Sequence, residues 1–255
     1  MSKVSIIIPK RDRSEFLKIC LHYLNICCAN KRFDVNVYIV DDSIFADNPD
    51  ITYPNFKCLT YLPIPHLGKF NKSKLINYAL SKMDDFDLLS IIDCDMIYDE
   101  DFLDSVYRNI SLGAGYVVSH GYKLGKNLSD YIALMKPNLE YIKGSSDKEE
   151  FKVGPSQISM TRSTYKMFID TFGSPLYDPY YEGWGAEDSD LSFKSMFLSS
   201  RNLLSKVELL GVWYHLYHES RNTDPVQYNK NYDHLKDQLS KYCASILKSQ
   251  GGIHV

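Results

Sequence analysis

No stretch of this sequence stays apolar for the roughly 20 residues that a membrane-spanning helix needs. The apolar run near the start, in MSKVSIIIPKRDR, meets charge after a few residues. It therefore predicts a buried strand, too brief for a signal segment. Charge of one sign is also scarce. The formal net charge is -3 and the Lys and Arg residues are scattered, which excludes a broad phosphate-tracking surface and with it a nucleic-acid partner. The six cysteines, Cys20, Cys27, Cys28, Cys58, Cys94 and Cys243, lack metal-type pairing and any secreted disulfide framework, so reduced thiols are expected. Internal repeats and long polar linkers are missing as well. What remains is a 255-residue chain with 44% apolar residues, enough for a full core in one α/β domain spanning 1–255 and too much for intrinsic disorder. A cytoplasmic location without a signal peptide is the default expectation, with peripheral membrane contact left open.

The apolar residues are organised as alternating strands and helices. Val4 to Ile8 is a continuous β-rich run, and Ser14 precedes an apolar series through Phe16, Leu17, Cys20, Leu21 and Leu24 at helical spacing. DVNVYIV (34–40) predicts a second strand, FNKSKLINYA (70–79) a helix, and Leu88 to Ile92 a third strand. Continuously apolar strands separated by helices imply a mostly parallel sheet covered on both faces. Such sheets bind ligands at the C-terminal strand ends, where Arg11, Arg13, Asp41, Asp42, Asp93 and Asp95 all fall. Further on, 123–129 and 143–150 read as exposed loops, 188–198 as a helix, 207–217 as strand-like, and 225–248 as a terminal amphipathic helix or helix pair.

Three segments carry chemistry. Asp93-Cys94-Asp95 places two carboxylates at a strand end, where hard oxygen ligands suit a divalent cation, although a solvated turn has the same spelling. Gly183-Trp184-Gly185-Ala186-Glu187-Asp188-Ser189-Asp190 crowds three carboxylates behind Gly-Trp-Gly. A helix cap needs only one carboxylate, and flanking glycines let another group approach the backbone. In Val212 to Arg221, imidazoles can join Asp95 in a mixed shell that suits Mn²⁺ better than an all-protein zinc site. His218 lies beside a polar loop and reads as the ligand. His215 stays open between ligand and core histidine, because on a regular strand the two would face opposite ways unless the chain turns between them.

VSIIIPKRDR, VYIVDDS, GKFNKSKLIN, DCDM, EGWGAEDSDL and YHESRN occur in this order over about residues 4 to 235. Together they resemble the inverting GT-A glycosyltransferases, in particular the β-1,4-galactosyltransferases and the chondroitin-polymerase-type transferase domains. The resemblance implies a GT-A fold, a nucleotide-sugar-binding half over about 1–110 and an acceptor and catalytic half over about 111–255. Pro9, Arg11 and Arg13 would then lie along the base and ribose, and Asp42 would accept the uracil N3 hydrogen. Phe70, Asn71 and Lys72 would border the diphosphate, with Lys72 standing where arginine is usual. Asp93, Trp184 and Gly185 would contact the donor, Trp184 on a mobile loop over it. Asp95, His218 and, three residues earlier, His215 would bind the metal. Vertebrate galactosyltransferases carry methionine at the His215 position, so the preferred ion stays open between Mn²⁺ and Mg²⁺.

By the same likeness Asp188 is the general base, Glu187 binds acceptor or donor hydroxyls, and Ala186 replaces a frequent glycine. The expected activity is metal-dependent, inverting transfer of a hexose or N-acetylhexosamine from a UDP-sugar to an oligosaccharide or glycoconjugate hydroxyl. Tyr177, Tyr180 and Tyr181 make a plausible acceptor platform. A missing membrane anchor points to a bacterial, phage or viral glycan-building setting. Two other classes compete. A glycoside hydrolase uses paired carboxylates but needs no metal or nucleotide crevice, and a non-catalytic nucleotide-sugar or glycan-binding module has no need of Glu187-Asp188 beside a metal.

Overall fold

The computed structural model describes residues 2–29, 32–45, 52–66, 68–151, 157–183, 185–219 and 224–249. The apolar run near the start forms β1 (Ser2–Lys10), which pairs in parallel with β2 (Phe33–Asp41) from Ser2↔Phe33 to Lys10↔Asp41. On its other side β1 pairs in parallel with β4 (Leu88–Ile92), and β3 (Cys58–Pro63) extends the sheet beyond β2. The continuous apolar pattern has a physical cause in burial on both faces. Ile6 and Ile8 pack with Leu17, Cys20, Leu21 and Leu24 of α1 (Ser14–Cys27), while Ile7 points the other way onto Leu75, Ile76 and Ala79 of α2 (Lys72–Lys82). Each fully buried leucine on these helices contributes about 1.5–3 kcal/mol, which holds the helices against the sheet.

Beyond β4 the chain runs through β5 (Met96–Tyr98), α3 (Phe102–Ser111), β6 (Tyr116–Ser119), β7 (Gly121–Leu124), α4 (Lys126–Met135), α5 (Leu139–Gly144) and β8 (Lys148–Phe151). It continues with β9 (Gln157–Thr161), α6 (Arg162–Phe172), α7 (Glu187–Ser200), β10 (Lys206–Leu209), β11 (Trp213–His215) and α8 (Pro225–Ser249). The main sheet has seven strands in the order β10-β6-β9-β4-β1-β2-β3. It is mostly parallel as expected, with β9 alone running antiparallel to its neighbours β4 and β6. A second sheet, β5-β11-β7-β8, stands beside it. Among the described residues no helix is long and apolar enough to cross a membrane, and all six cysteines are free.

Two local expectations need correction, and a third resolves to one of its alternatives. Residues 123–129 and 143–150 are not loops: they contribute to β7, α4, α5 and β8. Their lysines mask the signal, while Leu124, Leu128 and Ile142 are buried in a common cluster with Tyr214 and Leu216. The strand-like stretch 207–217 is two strands in two sheets, because Gly211 adopts φ 74 and turns the chain between β10 and β11. The C-terminal segment is one helix of 25 residues.

Candidate active site

Parallel strands β1, β2 and β4 all end on one side of the sheet, and the polar residues that follow them meet there. Lys10 and Asp41 are register partners, fully buried, with Nζ 2.6 Å from Oδ2. Asp41 also accepts hydrogen bonds from the Ser43 amide at 2.8 Å, the Ser43 hydroxyl and the Tyr61 hydroxyl at 2.6 Å. Burial pushes the Asp41 pKa up, but the Lys10, Ser43 and Tyr61 hydrogen bonds outweigh it and the net shift is downward. With this pair locked, Arg11 forks onto Asp42, Nε donating to Oδ1 at 2.9 Å and the terminal nitrogen to Oδ2. Arg11 also donates to the Gly68 carbonyl at 2.7 Å and lies 5.4 Å from the centre of the Phe70 ring. Pro9 is buried in β1 opposite Val40. Asn71 is the N-cap of α2: its side chain accepts from Lys74 N at 2.7 Å and donates to the Pro179 carbonyl at 3.0 Å.

A second cluster forms around Asp95, which is buried in the turn between β4 and β5. Met96 of β5 pairs antiparallel with His215 of β11, and Leu216 N donates to the Asp95 carbonyl at 3.0 Å. The strand ends at His215, and the irregular backbone that follows brings His218 round as well. His218 Nε2 is 3.3 Å and His215 Nε2 3.7 Å from Asp95 Oδ2. One ligand atom from each of the three residues lies within 4.8 Å of the others. The turn that both imidazoles needed is thus present. Arg13 contacts the same carboxylate oxygen. Burial, then the neighbouring His218, lowers the His215 pKa to about 4, so its imidazole is neutral at physiological pH and offers a lone pair. One buried carboxylate with two imidazoles fits a divalent first-row ion.

The third cluster sits at the start of α7. Gly183 (φ 74), Gly185 (φ 99) and Ala186 (φ 77) all occupy the left-handed region, and the helix then begins at Glu187. An alanine there is strained by roughly 1–2 kcal/mol, which explains glycine as the residue expected at that site. Lys72, only 8% exposed, lies 2.8 Å from Asp188 Oδ2 and 2.8 Å from Asp93 Oδ1. A single ammonium therefore ties the strand-end aspartate to the helix-start aspartate. Burial, and secondly the Asp188 charge, raises the Glu187 pKa to about 7. The Asp188 pKa is raised by burial and by Asp93, against the pull of Lys72. Asp190 faces inward to Lys194 at 2.7 Å and belongs to the packing of α7.

Trp184 lies outside the described residues. Of the tyrosines, Tyr177 and Tyr181 are buried and cannot present a sugar-stacking face. Tyr180, 48% exposed, stacks on His234 with centroids 3.9 Å apart. Two features escaped the sequence reading. The Lys10–Asp41 pair follows from the β1/β2 register, which a single sequence does not display. Asn231 is fully buried within the stripe Tyr228, Asn231, Tyr232, Leu235 and Leu239 of α8, and a polar residue in an otherwise apolar helical stripe was its available signal.

No protein-family model and no curated protein matches the chain. Several solved structures do. Staphylococcus aureus TarS 1–349 in complex with UDP-GlcNAc is similar at 16% identity and TM-score 0.58, over 86% of this chain and 60% of that one. A longer S. aureus TarS structure is 14% identical with TM-score 0.57, over 84% of this chain and 37% of that one. A Drosophila β1,4-galactosyltransferase 7 variant in complex with manganese, UDP-Gal and xylobiose is 16% identical with TM-score 0.52, over 89% of this chain and 79% of that one. The fold is therefore the GT-A fold, and the chain spans about 60% of the shorter TarS protein.

Proposed function

We propose that the chain is an inverting, metal-dependent glycosyltransferase that moves a hexose or N-acetylhexosamine from a UDP-sugar to a hydroxyl of an oligosaccharide or glycoconjugate. Support comes above all from Lys72, which joins Asp93 and Asp188 beside the Asp95–His215–His218 cluster at the strand ends. A binding module has no use for a half-buried base held against a cation, and a hydrolase has no use for the Arg11–Asp42 fork at the nucleotide end. The neighbouring folds with UDP-GlcNAc, and with manganese and UDP-Gal, agree with this assignment.

In this reaction Asp188 takes the proton of the acceptor hydroxyl as its oxygen bonds to the anomeric carbon from the face opposite the leaving group. The bond from that carbon to the diphosphate oxygen breaks, its electron pair stays on the diphosphate, and the linkage is inverted. Pro9, Arg11, Arg13 and Asp42 hold the nucleoside, while Phe70, Asn71, Lys72, Asp93 and Gly185 border the diphosphate and sugar. Glu187, with its raised pKa, supplies a carboxyl that exchanges hydrogen bonds with sugar hydroxyls. Asp95, His218 and His215 would hold Mn²⁺, or Mg²⁺ in its place, whose charge offsets that of the leaving diphosphate. A positioned base of this kind accounts for about 10²–10⁴-fold of the rate.

Nucleotide release from a panel of UDP- and GDP-sugars, with and without Mn²⁺ and without acceptor, tests the proposal. Manganese-dependent release from a UDP-sugar is the expected result. Donor binding without release, with or without Mn²⁺, would indicate the binding module instead, and neither binding nor release would overturn the assignment.

A further inference from the structure

The segment that precedes the proposed base has its conformation set from outside by α8. Asn231, fully buried on that helix, donates from Nδ2 to the Glu182 carbonyl at 2.7 Å and to the Gly185 carbonyl at 3.2 Å. Its Oδ1 accepts from Gln227 Nε2 at 3.0 Å, and Gln227 Oε1 in turn accepts from Lys69 Nζ at 3.1 Å. A Cβ placed on Gly185 would sit 3.3 Å from the Tyr228 ring and 3.6 Å from the Tyr232 ring, and one on Gly183 would sit 3.3 Å from Gln227. From the opposite side Gly183 N donates to the Phe70 carbonyl at 2.6 Å, one residue before the N-cap of the helix that carries Lys72. Glu182, Gly183 and Gly185 are thus gripped between the entry to α2 and the first turns of α8.

We infer that Asn231 is a positioning residue: through the carbonyls of Glu182 and Gly185 it sets the backbone that aims Glu187 and Asp188, which makes α8 part of the catalytic device. The inference rests on the transferase assignment above for its catalytic consequence and on the hydrogen bonds alone for its structural one. Gly183, Gly185 and Ala186, all left-handed, have little intrinsic preference for this path, so the two carbonyl contacts from one amide supply the missing constraint. Leucine at 231 would keep the approximate shape and strip both donors, leaving the two carbonyls to find other partners.

The test compares Asn231→Leu with Leu24→Ala, a core variant of α1 remote from the loop and chosen to lower stability by a similar amount. Two readouts are taken on the full chain: hydrogen exchange by mass spectrometry, and UDP binding together with UDP-sugar turnover at a temperature where both variants are folded. Asn231→Leu is expected to speed exchange in the peptide covering 181–190 relative to Leu24→Ala. It is also expected to leave the UDP affinity within about twofold and to lower kcat by around 10²-fold, the loss typical of an ångström-scale misplacement. Asn231→Asp, which keeps Oδ1 and loses both donors, should behave like the leucine variant, whereas Asn231→Gln should recover part of kcat. Unchanged exchange at 181–190, or equal kcat in Asn231→Leu and Leu24→Ala, would overturn the inference. If the wild-type protein releases no nucleotide from any donor, the transferase assignment fails by itself, and the exchange comparison still decides the grip.

Discussion

Lys72→Met is the substitution that probes the candidate site most directly. It removes an ammonium that lies 2.8 Å from two separate carboxylates and is itself 8% exposed, while keeping an unbranched side chain of similar length. At an effective dielectric of about 20, each contact would be worth roughly 6 kcal/mol of Coulomb energy before desolvation is counted. Removing one member of a buried pair costs about 3–5 kcal/mol in practice. The Asp93 and Asp188 side chains keep 29% and 24% exposure, so solvent screening places the expected loss near the low end, about 3 kcal/mol. This loss should depend on pH in a defined direction. The Lys72 pKa is raised above its ordinary value, so the lysine stays charged throughout the range from 5 to 8. The pH dependence therefore belongs to the carboxylates. Without the ammonium Glu187 and Asp188, whose pKa values are both raised, repel each other when ionised, and acidification relieves that by protonating them. Urea unfolding of wild type and variant without added metal, at pH 5 and at pH 8, should show the larger difference at pH 8. Lys72→Arg, which keeps the charge, should recover most of it. Equal losses at both pH values would refute the shared-cation arrangement.

Asp188→Asn should lower nucleotide-sugar turnover by about 10²–10⁴-fold while UDP binding by calorimetry survives, because on the proposed mechanism it removes the proton acceptor and leaves Lys72 its contact with Asp93. Asp95→Asn should weaken Mn²⁺ and donor binding together, and a Mn²⁺ titration unchanged from wild type would remove Asp95 from the metal cluster. Glu187 has a folded pKa of about 7 against an ordinary value near 4.5, so the folded chain holds a proton there that the unfolded chain releases. Its contribution is present below about pH 4.5 and is lost as the pH rises through 7. Glu187→Gln should consequently flatten the decline in stability from pH 5 to pH 8, by about 2–3 kcal/mol at most in metal-free protein. An unaltered decline would count against the raised pKa.

The parts of the fold that the sequence displays are those whose burial is apolar throughout. Strands β1, β2 and β4 are covered on both faces by helices, so their hydrophobicity is continuous and their ends mark the crevice. Strand β9 is hidden because half of its buried residues are polar. Gln157 donates to the Ser159 hydroxyl at 2.6 Å and accepts from Ser119 at 2.5 Å, while Ser159 meets Ser90 at 2.6 Å across the sheet. Hydrogen bonding between neighbours replaces hydrophobicity there, and no periodicity signals it. Strands β5, β7 and β11 have three or four residues each, too few for a pattern. At the candidate site, residue types and spacing pointed to Asp93, Asp95, Asp188 and His218, and left His215 open. The bridging place of Lys72, the Arg11–Asp42 fork and the Lys10–Asp41 pair depend on strand register and helix placement. Tyr177 and Tyr181 left the expected platform for a related reason, since aromatic residues beside a loop serve the core as readily as a ligand.

The antiparallel ladder between β5 and β11 has one more consequence. It pairs Met96 with His215, and Leu216 N donates to the Asp95 carbonyl, so the backbone alone brings together the three residues proposed to hold an ion. A chelator should then abolish ion-dependent properties while leaving the melting temperature of the domain nearly intact, unlike small domains that unfold when their metal is withdrawn.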